Sequence, residues 1–127
     1  MKRILVAEDN AASRELVREV LETEGYDVIE ACDGREALEK ILSTESDLVL
    51  LDIQMPGLDG FGVLRELRQH PQLLRPPIVA LTAYAMAGDA ERALAAGFDA
   101  YATKPIDVAT LSDRIRKWLD QTVVRPL

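Results

Sequence analysis

Five short apolar runs, each followed by a stretch with helical periodicity, constrain this chain more than any other feature. The runs are Ile4-Leu5-Val6-Ala7, residues 27–31, Leu48-Val49-Leu50-Leu51, Ile78-Val79-Ala80-Leu81 and residues 98–102. Leu48 to Leu51 carries no polar alternation. A strand of that kind must be covered on both faces, as in a parallel sheet sandwiched between helices. Between the runs, apolar residues recur three and four apart. Residues 10–24 place Leu16, Val17, Val20 and Leu21 on one face, and Gly25 suits the C-cap. A second helix starts at Asp33-Gly34 with Ala37, Leu38, Ile41 and Leu42 inward. A third, over 59–69, turns Phe61, Leu64 and Leu67 inward. A fourth, over 85–96, is rich in Ala, includes Gly88 and ends at Gly97. A fifth, over 107–121, carries Val108, Leu111, Ile115 and Trp118.

Repeated strand–helix alternation predicts an α/β fold with a parallel sheet. Right-handed crossovers limit the possible topologies. The simplest at this size is a doubly wound, flavodoxin-like (βα)5 sheet of five strands, order 2-1-3-4-5, with helices on both faces. The 127 residues fit one domain over 1–122, with a tail over 123–127 expected to fray. With 48% of residues apolar but only 5% aromatic, the core must be aliphatic. The eight residues after Leu119 read as too few for an output domain.

A net charge of -7 excludes the usual phosphate-driven binding of nucleic acid and any attraction to an anionic membrane. The N-terminal apolar run is cut off by Glu8-Asp9-Asn10, too soon for a signal peptide, and no run approaches the roughly 20 residues of a membrane span. The only cysteine, Cys32, permits no internal disulfide, which points to a reducing, cytoplasmic setting. Cys32 itself reads as a buried or half-buried small hydrophobe. Trp118 reads as packing, and His70 as solvated and without a catalytic role.

In such a fold, ligands bind beyond the carboxyl ends of the strands. Glu8 and Asp9 follow the first strand, Asp52 the third, Thr82 the fourth and Lys104 the fifth. Singly, all but Asp52 have a bland reading: the acidic pair and Thr82 as helix caps, Lys104 as a solvated lysine. Together they put three carboxylates, a hydroxyl and an ammonium on one rim. Crowded carboxylates repel, which raises their pKa values or demands a cation. Mg²⁺ suits a few carboxylates plus a phosphate. A metal and a lysine then stabilise phosphoryl oxygens in transfer, and a carboxylate serves as nucleophile. Gly57 and Gly60 suit turn geometry and close approach of backbone to this rim.

The segments Ile4 to Asn10, Leu50-Leu51-Asp52-Ile53-Gln54-Met55-Pro56-Gly57-Leu58-Asp59-Gly60, Leu81-Thr82-Ala83 and Lys104-Pro105 resemble, in order and spacing, the receiver domains of two-component response regulators. The resemblance implies that Asp52 accepts a phosphoryl group from a histidine kinase or histidine phosphotransfer protein. It implies Asp9 as a direct Mg²⁺ ligand, Glu8 as a direct or water-mediated one, and Gln54 as a ligand through its backbone carbonyl. Lys104 pairs with the phosphoryl oxygens. Thr82 and Tyr101 form the switch that remodels the face of the fourth helix, last strand and fifth helix for a downstream protein target. By the same resemblance, Gln54 and Tyr84 are expected to tune the phosphoryl lifetime, and the Lys104–Pro105 bond to be cis. With so few residues after Leu119, output is expected through protein contact or a phosphoryl relay. Glu8 departs from the two aspartates common in this family, which bears on the metal shell. The domain is then no classical enzyme but a self-phosphorylating, slowly self-dephosphorylating monomer or weak dimer. The rivals are a Mg²⁺-dependent phosphohydrolase of the haloacid dehalogenase type, disfavoured by Gln54 where a second Asp is needed, a flavin carrier on the same fold, and a receiver-like module that only binds partners.

Overall fold

The computed structural model describes residues 1–70, 74–82, 88–104, 106–120 and 125–126. Strands β1 (Arg3–Ala7), β2 (Asp27–Ala31), β3 (Leu48–Asp52), β4 (Ile78–Thr82) and β5 (Ala100–Thr103) form one parallel sheet in the order β2-β1-β3-β4-β5. Helices α1 (Ala11–Thr23), α2 (Gly34–Ser43), α3 (Gly60–Leu67), α4 (Asp89–Ala96) and α5 (Val108–Asp120) alternate with them. The doubly wound topology predicted from the alternation is the one observed.

Strand residues alternate between two cores, as the two-residue strand period requires. Leu48 and Leu50 face Val17, Leu21, Ile115 and Trp118 of α1 and α5. Val49 and Leu51 face Ile41, Val63, Leu67 and Ala93 of α2, α3 and α4. All five residues of β3 are buried, which explains the absence of polar alternation there. Burial of such an aliphatic side chain is worth about 1.5–3 kcal/mol, so the central strands anchor the fold.

Several local expectations are corrected. Leu16 and Leu42 are exposed, as is Val108 at the first turn of α5. Each lies at the flank of an apolar stripe whose centre alone meets the sheet. Cys32 is exposed rather than buried, because it lies between the end of β2 at Ala31 and Asp33, the N-cap of α2. Its amide donates to Glu36 Oε1 at 2.7 Å while Asp33 caps the helix, so the chain has already left the sheet. Gly88 is not inside a helix; it is the N-cap of α4, at φ 94°, a left-handed conformation that glycine adopts at no steric cost. Residues 83–87, which include the predicted start of that helix at 85–87, lie outside the described residues. Arg125–Pro126, in the tail expected to fray, pair antiparallel with Leu74–Arg75. Trp118 is buried, as expected of a packing residue.

Candidate functional site

Register delivers the rim. Ala7 is level with Leu51 in the β1–β3 pairing, so Glu8 and Asp52 emerge side by side one residue later. Thr82 is level with Thr103 in the β4–β5 pairing, and Lys104 follows directly. The Lys104 amide donates to the Thr82 carbonyl at 2.7 Å, which carries the register one residue past the strand. The loop after β3 closes under the rim: Gly57 has φ 75°, and a Cβ on Gly60 would stand 2.8 Å from the Ile53 Cα. Both glycines serve the roles read for them.

Lys104 Nζ sits 2.6 Å from Asp52 Oδ2 and 2.5 Å from Glu8 Oε2. The other Asp52 oxygen accepts from the Gln54 amide at 2.9 Å. Asp52 and Glu8 are only 2% and 3% exposed, whereas Asp9 is open to solvent. Burial pushes the Glu8 carboxyl above its ordinary range, with the Asp52 charge adding to the rise and Lys104 opposing it. Burial also works against the Lys104 ammonium, but the hydrogen bonds and charges of Asp52 and Glu8 outweigh it and hold its pKa above the ordinary lysine value. One ammonium is thus shared by two buried carboxylates, with the Asp9 carboxylate close by.

Glu8, Asp9 and Asp52 each offer an oxygen, all within 4.8 Å of one another. Two oxygens across one Mg²⁺ stand about 4.2 Å apart, so this hard, all-oxygen donor set fits the ion with a small side-chain adjustment. The negative excess left by Lys104 supplies the attraction. Thr82 is buried at the end of β4, and Tyr101 on β5 is 40% exposed. Gln54 is exposed, with its amide committed to Asp52. The structure therefore brings Glu8, Asp9, Asp52 and Lys104 into one cluster, with Thr82 and Gln54 at its border and Tyr101 farther out on the last strand. Tyr84 and Pro105, hence the predicted lifetime residue and the cis bond, lie outside the described residues.

A family profile for the response regulator receiver domain matches residues 4–116, from β1 into α5. The chain belongs to the response regulator receiver family. Its relatives include the polar-differentiation response regulator DivK of Brucella anthropi, 37% identical over 118 residues covering 93% of this chain and 96% of that one. Among solved structures, a CheY-like receiver domain protein from Methanospirillum hungatei superposes with a TM-score of 0.83 at 33% identity, covering 95% of each chain. The receiver domain of a sensor histidine kinase from Pseudomonas aeruginosa, which holds a magnesium ion in its active-site cleft, gives 0.81 at 33% identity over 94% of this chain and 98% of that one. This is a signalling domain of two-component systems rather than a classical enzyme, and its acidic pocket is the kind in which the family binds Mg²⁺. No described helix is long and apolar enough to cross a membrane.

The sequence reading missed Arg14, in the first turn of α1, whose Nη1 donates to the Glu8 carbonyl at 2.7 Å. The available signal was weak: Arg14 and Arg18 are four apart, on one helix face, and Glu30 is the only acid within β2 beyond its first residue.

Proposed function

We propose that this receiver unit, spanning residues 1–122 with a tail over 123–127, takes a phosphoryl group on Asp52 from a histidine kinase or a histidine phosphotransfer protein. The observation that carries this is the buried Asp52 carboxylate, clamped between the Gln54 amide and Lys104 and flanked by Glu8 and Asp9. One Asp52 oxygen attacks phosphorus. An acyl phosphate bond forms as the phosphorus–nitrogen bond to the donor imidazole breaks, and the imidazole takes its proton from solvent. Gln54 and Lys104 hold the carboxylate in place, which removes orientational cost from the attack. The Lys104 ammonium then follows the charge onto the phosphoryl oxygens. Glu8, Asp9, Asp52 and the Gln54 carbonyl would hold Mg²⁺, which when bound offsets the negative charge of rim and phosphoryl group together. Slow hydrolysis of the acyl phosphate resets the domain.

Signalling follows from Thr82. It donates to the new phosphoryl group, and Tyr101 turns inward from its half-exposed position, remodelling the α4–β5–α5 face for a downstream protein. A shift of a few kcal/mol between two states is enough. The exchange takes place in the cytoplasm, on a monomer or weak dimer that binds neither nucleic acid nor membrane. The net charge of -7 and the lone, exposed cysteine support that setting.

Incubation with a small acyl phosphate donor and Mg²⁺, read by intact mass, tests the proposal. One phosphoryl group should add to the wild type and none to Asp52→Ala. Continuous turnover of a generic phosphate ester by the wild type would instead favour a phosphohydrolase.

A further inference from the structure

Arg14 contacts none of the carboxylates that crowd the rim, although it is the nearest cation on α1. Its side chain is 18% exposed. Nε donates to Glu30 Oε1 at 3.2 Å, and Nη1 donates to the main-chain carbonyl of Glu8 at 2.7 Å. The second oxygen of Glu30 is taken by Arg18 Nη1 at 2.8 Å. A guanidinium presents its N–H groups in one rigid plane. With Nε committed to Glu30, the direction of Nη1 is set.

The bonded carbonyl belongs to the peptide that joins Glu8 to Asp9. Across the other side of Glu8, its amide donates to the Ala31 carbonyl at 3.0 Å. Both main-chain polar groups of Glu8 are therefore pinned to β2, one directly and one through Arg14 and Glu30. That fixes the turn from which both acidic side chains depart. A charge compensator would bond the carboxylates themselves. Arg14 instead offsets its charge on Glu30 and gives the site only direction.

We infer that Arg14 is a positioning residue for the acidic pair: braced by Glu30, it orients the Glu8–Asp9 peptide and so sets the affinity of the rim for Mg²⁺. The inference rests on the reading of the rim as a Mg²⁺ site. Groups that orient metal ligands without touching the metal typically account for 10- to 100-fold in affinity.

The test titrates the full chain with magnesium chloride alone, without phosphodonor, by calorimetry. Wild type, Arg14→Met, Arg14→Lys, Glu30→Gln and the Arg14→Met/Glu30→Gln double variant are compared, with urea unfolding recorded for each. Arg14→Met should bind Mg²⁺ about tenfold more weakly. Glu30→Gln should lose less, in the same direction, and the double variant no more than Arg14→Met alone, because the two act as one brace. Arg14→Lys should recover only part of the loss, because its ammonium can donate to the Glu8 carbonyl but lacks the planar fork that fixes the direction. Unchanged affinity in a folded Arg14→Met, or losses that add independently, overturns the inference while leaving the metal site standing. If Arg14→Met does not fold, an unchanged affinity in Glu30→Gln overturns it equally. A wild type that binds no Mg²⁺ overturns the metal reading and this inference with it.

Discussion

Lys104→Met is the most informative single perturbation of this domain. The substitution keeps the apolar stem and removes only the ammonium that touches Glu8 and Asp52. Two carboxylates with 3% and 2% exposure then face each other, and the exposed Asp9, with no cation between them. Deleting one partner of a buried ion pair typically costs 3–5 kcal/mol. This site lies at the rim of the sheet and Lys104 itself is 20% exposed, so the lower end applies, about 3 kcal/mol at pH 7. A domain with a stability of about 5–15 kcal/mol survives that loss and can be measured. The pH dependence has a definite sign. Burial already raises the folded-state pKa of Glu8, and loss of Lys104 removes influences that pull it down. A carboxyl with a raised folded pKa favours folding while protonated, and that contribution is lost as pH rises through the folded value. The deficit of Lys104→Met should therefore be small below about pH 4.3, the ordinary glutamate value, and grow as pH climbs above it. Added Mg²⁺ should recover more stability in the variant than in the wild type, because the uncompensated rim binds the cation more tightly. Urea unfolding at pH 4 to 8, with and without magnesium chloride, measures all three effects, with the slope m unchanged. A variant within about 0.5 kcal/mol of wild type at pH 7, the range of ordinary surface changes, and with no greater response to Mg²⁺, would refute the charge argument.

Gly34→Ala should destabilise by more than about 1–3 kcal/mol, the usual cost of overpacking, because its Cβ would fall 1.7 Å from the Leu58 carbonyl oxygen, a backbone atom of the loop after β3. Amide NMR shifts at 57–60 should reveal the displaced loop, and an unperturbed loop would contradict the contact. Leu50→Ala, in the fully buried centre of β3, should cost about 2–5 kcal/mol by denaturant unfolding. Asp59→Ala removes the oxygen that accepts from the Gly62 amide at 2.8 Å at the start of α3. It should cost about 1 kcal/mol, whereas Asp59→Asn should be nearly neutral.

Much of this protein was legible from local pattern. The order of strands and helices, the parallel sheet and its aliphatic composition follow from apolar runs at short range. So does the placement of Glu8, Asp9, Asp52, Thr82 and Lys104 on one rim, since each directly follows or ends a strand whose direction the alternation already sets. Other features needed contacts between elements distant in the chain. Periodicity locates the centre of a helix's apolar stripe but not its width, which is why Leu16, Leu42 and Val108 were assigned inward and stand exposed. Backbone conformation at one residue escaped as well: Gly88 caps α4 at φ 94°, and periodicity carries no information on the backbone angle of a single glycine. The sharing of Lys104 between Glu8 and Asp52, the exposure of Cys32 and the brace from Glu30 through Arg14 to Glu8 arise only when the strands reach register. Pairwise geometry between side chains many residues apart leaves no periodic trace in a single chain, so folding alone could decide it.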